Sequence, residues 1–290
     1  MKNPIVPTAE AKAIESRVDR LLADLGRPKP PVSLAQVRAI QKLDVRYYSI
    51  GNPDFQDRMA HRMRIAGKVI AEPIRLWQAI KQMDLKALLL PDAKRILIDD
   101  DLHDIKKRWA EAHEITHDLL DWHKDFMYGD SEVELLPSCE EMIEAEANLG
   151  AGLLLFPRYY LDDFLSGKDP LMSVAEKLAE DSGNSITAAG WRIAEHSARP
   201  TFFMVCDSGT LKDANLKHLA VSRTFEQRFG HIVPGQLFTI LKANARRARG
   251  GPLGTFTYPL RDAEGRPHEF VIDAFGIGGL GILAIGHARA

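Results

Sequence analysis

Two histidines one helical turn apart place the strongest constraint on how this chain can fold. His113 and His117 lie within residues 103–122, whose periodicity predicts one long helix, so both imidazoles should project from the same face. Two such imidazoles can each give one nitrogen to a single zinc ion. The carboxylate of Glu114 can reach a water beside that ion without occupying a coordination position. The spacing His-Glu-x-x-His therefore predicts a catalytic zinc site with Glu114 as the general base.

A catalytic zinc ion of this kind needs a third protein ligand. Residues 138–155 predict a second helix that combines small residues with four glutamates, at positions 140, 141, 144 and 146. Glu144 precedes Asn148 by one turn, so a ligand carboxylate and an amide that can orient a ligand histidine would share a face. This pairing favours Glu144, and Glu140, one turn earlier on the same face, is its competitor. We expect a further carboxylate, which the sequence does not identify, to orient the other histidine.

A buried helix with two incidental histidines is the alternative explanation of the motif. A chain of this length and composition matches the pattern by chance with odds of roughly a few per cent. The second helix favours the zinc site, because an acidic run on a solvated face does not usually contain so many alanines and glycines. Small residues would let that helix approach the histidine helix closely enough to share one ion.

Several side chains near the predicted site have ordinary explanations. His103 and His123 flank the histidine helix, where a surface or capping histidine is commoner than an extra ligand. Tyr159 and Tyr160 follow the second helix, and a tyrosine there could stabilise the oxyanion of a tetrahedral intermediate. Packing is the favoured interpretation of both tyrosines, because nothing in the sequence positions them at the site.

The charge balance gives no general reason to expect a nucleic-acid-binding protein. The formal net charge of the 290 residues is −2. The tight basic cluster at residues 246–249 is explained as the end of a helix, where cations complement the helix dipole. We therefore expect a protein partner and no direct nucleic-acid binding.

The sequence favours a cytoplasmic protein. Cys139 and Cys206 form no Cys-x-x-Cys pair and no disulfide framework, which fits a reducing compartment. Residues 1–12 lack the apolar region of a secretory signal. The longest apolar, Gly-rich stretch, residues 274–286, is too short to span a bilayer and predicts a buried strand, so no membrane association is expected.

The apolar patterns predict an α+β protein with two domains. Residues 1–198 predict a mainly helical zinc-metalloprotease core with a small sheet, and residues 199–290 a smaller C-terminal α+β domain. Predicted helices cover about 8–25, a short segment after 33, 74–85, 103–122, 138–155, 170–180, 185–196 and 236–249. Predicted strands cover about 45–50, 65–70, 95–98, 201–206, 255–258, 269–274 and 280–285, with a loop at 124–137 and a hairpin turn at 262–265.

Residues 95–157 resemble the ImmA/IrrE family of metallo-endopeptidases. The family pattern is a strand, a His-Glu-x-x-His helix, and a second helix with Glu-x-x-Ala-Asn that ends in Leu-Leu-x-Pro. Here these are Ile96-Leu97-Ile98, His113-Glu114-Ile115-Thr116-His117, Glu144-Ala145-Glu146-Ala147-Asn148 and Leu153-Leu154-Leu155-Phe156-Pro157. The resemblance implies a gluzincin-like site, with His113, His117 and Glu144 as ligands of Zn²⁺ and Glu114 as catalytic base. It also implies site-specific cleavage of a helix-turn-helix DNA-binding repressor, which derepresses transcription of stress-response or mobile-element genes.

The chain departs from the family pattern at two positions. Thr116 replaces a residue that is often glycine, and Gly150 replaces a residue that is often aromatic. Residues 200–290 match no pattern as clearly, although some relatives carry a sensor-like domain of the GAF type there.

Two other classes of function remain open at the level of sequence. In one, the chain is a non-proteolytic regulatory protein that binds a repressor or antitoxin through the same pocket. In the other, it is a structural helical protein that contains the motif by chance. Metal analysis of the purified protein separates this class from both the endopeptidase and the regulatory protein.

Overall fold

The computed structural model describes residues 2–48, 87–90, 93–123, 137–207, 212–246, 250–278 and 281–289. The strand predicted at 65–70, the helix at 74–85 and most of the loop at 124–137 lie outside these residues. The chain divides into two compact units. The histidine unit comprises Thr8–Pro28 and Val32–Leu155, and the C-terminal unit comprises Met1–Pro7, Lys29–Pro31 and Phe156–Ala290.

A three-stranded sheet forms one layer of the histidine unit. Its strands are β1 (Asp44–Tyr48), β2 (Ala87–Leu90) and β3 (Arg95–Asp99), in the order β1-β3-β2. The central strand β3 pairs parallel to β1 and antiparallel to β2. Ile96, Leu97 and Ile98 are all buried in it, which is the continuous apolar run expected of a strand covered on both faces. The strand predicted at residues 95–98 is present.

The helices that the structure describes in the histidine unit are α1 (Thr8–Asp24), α2 (Leu34–Gln41), α3 (Asp104–Leu119) and α4 (Pro137–Leu155). Helix α3 carries the histidine motif and contacts both α4 and the sheet. His103 is its N-cap, and His103 Nδ1 accepts a hydrogen bond from the Ile105 N–H at 3.3 Å, so the capping interpretation of this histidine is confirmed. It ends at Leu119, three residues before the predicted end.

Helices α3 and α4 are in close contact where the two departures from the family pattern meet. A Cβ atom at residue 150 would overlap the Cγ2 methyl of Thr116, so only glycine fits opposite this threonine. Thr116 is buried and its hydroxyl donates to the Ala112 carbonyl oxygen at 2.8 Å. The larger residue on α3 and the smaller one on α4 therefore compensate each other.

The C-terminal unit is a five-stranded antiparallel sheet with helices. The strand order is β5-β4-β8-β7-β6. Its helices are α5 (Arg158–Leu165), α6 (Met172–Ser182), α7 (Ile186–His196), α8 (Arg223–Phe229) and α9 (Pro234–Asn244). Its strands are β4 (Thr201–Cys206), β5 (Leu216–Val221), β6 (Gly251–Arg261), β7 (Pro267–Gly276) and β8 (Ile282–Ala288). Phe202, Phe225, Phe229 and Phe270 pack ring against ring in its core.

Two further contacts define the C-terminal unit. The hairpin turn predicted at 262–265 is present, and the buried Asp262 accepts hydrogen bonds from the backbone N–H groups of Glu264 and Arg266. Asn3 donates its backbone N–H to the Leu219 oxygen of β5 at 2.9 Å, and its side-chain Oδ1 accepts from the Val221 N–H at 3.0 Å. These two hydrogen bonds attach the residues around Asn3 to strand β5.

The predicted α+β class is confirmed by these elements. The predicted domains, 1–198 and 199–290, remain a prediction, because units grouped by proximity do not test which segments fold independently. One interpretation is wrong: α9 ends at Asn244, so Arg246 lies beyond the helix end that was expected to explain the basic cluster. Among the helices that the structure describes, none has the length and apolarity that a membrane crossing requires.

We predict that Gly150→Ala lowers the free energy of unfolding by about 1–3 kcal/mol, because the added methyl overpacks the α3–α4 contact. In a Thr116→Ser background, which removes the overlapping methyl and keeps the hydroxyl, the same change should cost clearly less. Urea denaturation of the four proteins measures this. Gly235→Ala, where an added Cβ meets no atom within 4 Å, is the matched control. Equal costs in both backgrounds would contradict the proposed contact.

Candidate metal centre

The two histidines of the motif face each other on α3. The Nε2 atoms of His113 and His117 lie 3.1 Å apart, and their rings meet edge to face. His117 is buried, and His113 is partly exposed. One helical turn therefore places two imidazole nitrogens at one point, as the spacing predicts.

Helix α4 brings Glu144 to the same point. Glu144 Oε2 lies 3.2 Å from His113 Nε2, and Oε1 lies 3.6 Å from His117 Nε2. One ligand atom from each of the three residues lies within 4.8 Å of the others. The side chain of Glu144 is 53% exposed, so the cluster opens to solvent on this side.

Two of the other candidate glutamates on α4 are not in this cluster. Glu141 is exposed, and Glu146 is buried with other partners. The side chain of Glu140 lies outside the described residues.

The donor set of this cluster fits a catalytic zinc ion. Two imidazole nitrogens and one carboxylate are the ligands of the three-residue type, which leaves a coordination position free. Burial and the neighbouring His113 hold the pKa of His117 well below its usual range, so this imidazole keeps a lone pair for a metal. Burial is the largest single influence on His113 and opposes its protonation, but the hydrogen bond to Glu144, the negative charges of Glu114 and Glu144 and the hydrogen bond to Asn148 together raise the pKa of His113. The same hydrogen bond lowers the pKa of Glu144.

Glu114 lies beside the cluster without joining it. Its side chain is buried and has a hydrogen bond with the Leu89 backbone of β2. Burial, together with the negative charge of Glu144, raises the pKa of Glu114 to about 7. A carboxyl group that titrates near neutrality suits the role of a general base that later returns its proton.

A second row of side chains lies behind the histidines. Asn148 Oδ1 lies 3.2 Å from His113 Nδ1, where the sequence places an orienting amide. Behind His117, the Nδ1 atom of His123 lies 2.9 Å from His117 Nδ1, and its Nε2 lies 2.9 Å from Glu146 Oε2. His123 is fully buried, so its interpretation as a surface or capping histidine is wrong.

The tyrosines that follow α4 belong to the C-terminal unit. The Tyr160 hydroxyl donates to Asp181 at 3.2 Å, and its ring stacks on Phe164. These contacts agree with the packing interpretation of this residue.

Sequence comparisons relate the chain to metalloproteases. It is 32% identical over 116 residues to the radiation response metalloprotease IrrE of Deinococcus deserti. The aligned residues cover 40% of this chain and 41% of that protein. It is 26% identical over 203 residues to IrrE of Deinococcus radiodurans, which covers 64% of this chain and 58% of that protein. No family model matches the chain. The two similarities confirm the resemblance to the ImmA/IrrE family, and the chain spans less than two thirds of either relative.

A comparison of structures shows a likeness of fold over almost the whole chain. A Mycobacterium tuberculosis transcriptional regulator superposes with a TM-score of 0.53 over 98% of this chain and 89% of that chain. The two are 14% identical, so the likeness is one of fold alone.

We predict about one zinc ion per purified chain, because the cluster offers three ligands. His113→Ala and His117→Ala should lose most of the metal, since each removes a ligand. Glu114→Gln should keep it, because Glu114 lies outside the donor set. Elemental analysis of the purified proteins measures the metal content. A metal-free Glu114→Gln protein beside a zinc-loaded wild type would show that the roles are wrongly divided.

We predict that Glu144→Ala loses most of the zinc and Glu141→Gln keeps it, because Glu144 approaches both histidines and Glu141 faces solvent. The dissociation constant for zinc, from competition with a chromophoric chelator, is the measurement. Glu140→Gln tests the competitor on the same predicted face. If Glu140→Gln lost zinc while Glu144→Ala retained it, the assignment of the third ligand would be reversed.

Proposed function

We propose that this chain is a zinc-dependent endopeptidase. The observation that carries the proposal is the convergence of two imidazoles and one carboxylate, with a second carboxylate buried beside them. His113, His117 and Glu144 would hold the metal, and Glu114 would act as general base. The similarity to two proteins named as metalloproteases supports a metal-dependent protease.

The residues of the chain divide the work of peptide hydrolysis. Zinc bound at this site would polarise the scissile carbonyl group and acidify a neighbouring water. Glu114 accepts a proton from the attacking water as the new C–O bond forms, and passes it to the leaving amine as the C–N bond breaks. The hydrogen bond with Leu89 holds the Glu114 carboxylate at the side of the cluster. Asn148 orients the His113 ring through its Nδ1 atom.

We propose further that the substrate is one specific protein, a helix-turn-helix transcriptional repressor, and that general proteolysis is weak. The support is the resemblance to the ImmA/IrrE family, whose members cleave such repressors. The C-terminal α+β unit offers a surface beyond the candidate centre for recognition of the substrate or of an effector.

A Glu114→Gln protein tests both parts of this function. It should bind its partner and leave it intact, because the ligands remain and the general base is lost. Affinity capture with this variant should recover a helix-turn-helix protein, which wild-type enzyme with zinc then cleaves at one site. His113→Ala, which lacks a metal ligand, is the control for the dependence of cleavage on the metal.

Two results would count against the proposal. Recovery of no helix-turn-helix protein, together with ready digestion of casein by the wild type, would indicate a general peptidase. A Glu114→Gln protein with the full cellular effect of the wild type would indicate a non-proteolytic binding protein.

A further inference from the structure

Three buried side chains form a row behind the candidate metal centre. His117 Nδ1 lies 2.9 Å from His123 Nδ1, and His123 Nε2 lies 2.9 Å from Glu146 Oε2. The exposed fractions of His123 and Glu146 are 0% and 6%. Three ring nitrogens and one carboxylate oxygen at these distances form two consecutive hydrogen bonds in a site with little access to water.

The row has one arrangement of protons that agrees with metal binding. If His117 gives the lone pair of Nε2 to a metal, its proton is on Nδ1, and Nδ1–H donates to His123 Nδ1. His123 then carries its own proton on Nε2, which donates to the Glu146 carboxylate. Each atom of the row is satisfied, and the direction of both hydrogen bonds is determined by the carboxylate at the far end.

Glu146 is itself held in place. The Trp122 indole N–H donates to the same oxygen, Glu146 Oε2, at 2.6 Å. The Arg17 guanidinium of α1 lies 5.1 Å from the centre of the Trp122 ring and donates to the Leu119 carbonyl oxygen at 3.2 Å. The carboxylate therefore accepts two N–H groups and has little freedom to leave the row.

The end of α3 explains how His123 reaches His117. The helix ends at Leu119, and Leu120 adopts an extended conformation. The chain then turns, with a hydrogen bond from the His123 N–H to the Leu120 oxygen at 2.9 Å. This reversal returns the imidazole of His123 to the back of His117.

The two histidines of the centre are supported unequally. His113 has a neutral amide behind it, Asn148, which is exposed. His117 has a buried row that ends in a carboxylate. A carboxylate partner raises the basicity of a ligand histidine more than an amide does, because it stabilises positive charge on the ring.

We propose that His123 and Glu146 are positioning residues that fix the tautomer and ring orientation of His117 for metal binding. This inference rests on the proposed function, because it assigns His117 to the metal. It adds a third histidine and a second glutamate to the machinery of the site, neither of which contacts the metal position.

The test measures metal binding and needs no substrate. His123→Leu removes the row and Glu146→Gln removes its charge, so both should weaken zinc binding about 10- to 100-fold. His123→Asn keeps an acceptor near the position of Nδ1 and should recover part of the loss. Trp122→Phe removes one hydrogen bond to Glu146 without breaking the row, and should weaken zinc binding less. The matched control is Trp191→Phe, which removes an indole–carboxylate hydrogen bond of 2.9 Å to Glu195 in the C-terminal unit. Chelator competition gives the dissociation constants, and the visible spectrum of the cobalt-substituted proteins reports the ligand geometry.

The thermal midpoints of the metal-free proteins separate positioning from plain structural support. We expect Glu146→Gln to weaken zinc binding and to shift the cobalt spectrum. The change in the thermal midpoint of its metal-free form should be too small to account for either effect. Unchanged zinc affinity in His123→Leu and Glu146→Gln, with lowered midpoints, would overturn the inference and leave the proposed function intact. A wild type that binds no zinc would overturn both.

Discussion

The close approach of α3 and α4 is the contact on which the candidate site depends. Gly150 leaves room for the Thr116 methyl, and the two helices can then present side chains to one another. Glu144 lies six residues before Gly150, about 9 Å along the helix axis, so the separation of the helices sets the distance from Glu144 to both histidines. A wider separation would remove the carboxylate from the cluster while both helices stayed folded.

Ion pairs with buried carboxylates fix the rotation of the histidine helix α3 about its own axis. Glu111 of α3 pairs with Arg38 of α2 at 2.5 Å, and Asp118 of α3 pairs with Lys94, just before β3, at 2.7 Å. Because these carboxylates are buried, a rotation of α3 that broke their pairs would leave a charge without its partner, which is costly. The ion pairs thus fix the rotation of α3 about its axis, while the glycine contact sets its distance from α4.

The sequence predicts what depends on local periodicity and misses what depends on a change of chain direction. The prediction that His113 and His117 share a helix face does not depend on the exact length of the helix. The position of His123 cannot be predicted in this way, because six more residues of continuous helix would turn its side chain about 240° from His117. The helix instead ends at Leu119, and the extended Leu120 brings the imidazole back. The role of Glu146 was missed for the same reason, because its partner His123 was expected at the surface. Strand β5 was missed because the first half of it is not buried, which weakens its apolar pattern.

The pairing of Asn3 with β5 joins residues that are more than two hundred positions apart in the sequence. The segment between them contains the whole of the histidine unit. Contacts of such long sequence separation form late, because the loop they close is entropically expensive. The hydrogen bonds of Asn3 with β5 are therefore expected to be among the last to form in the sheet of the C-terminal unit.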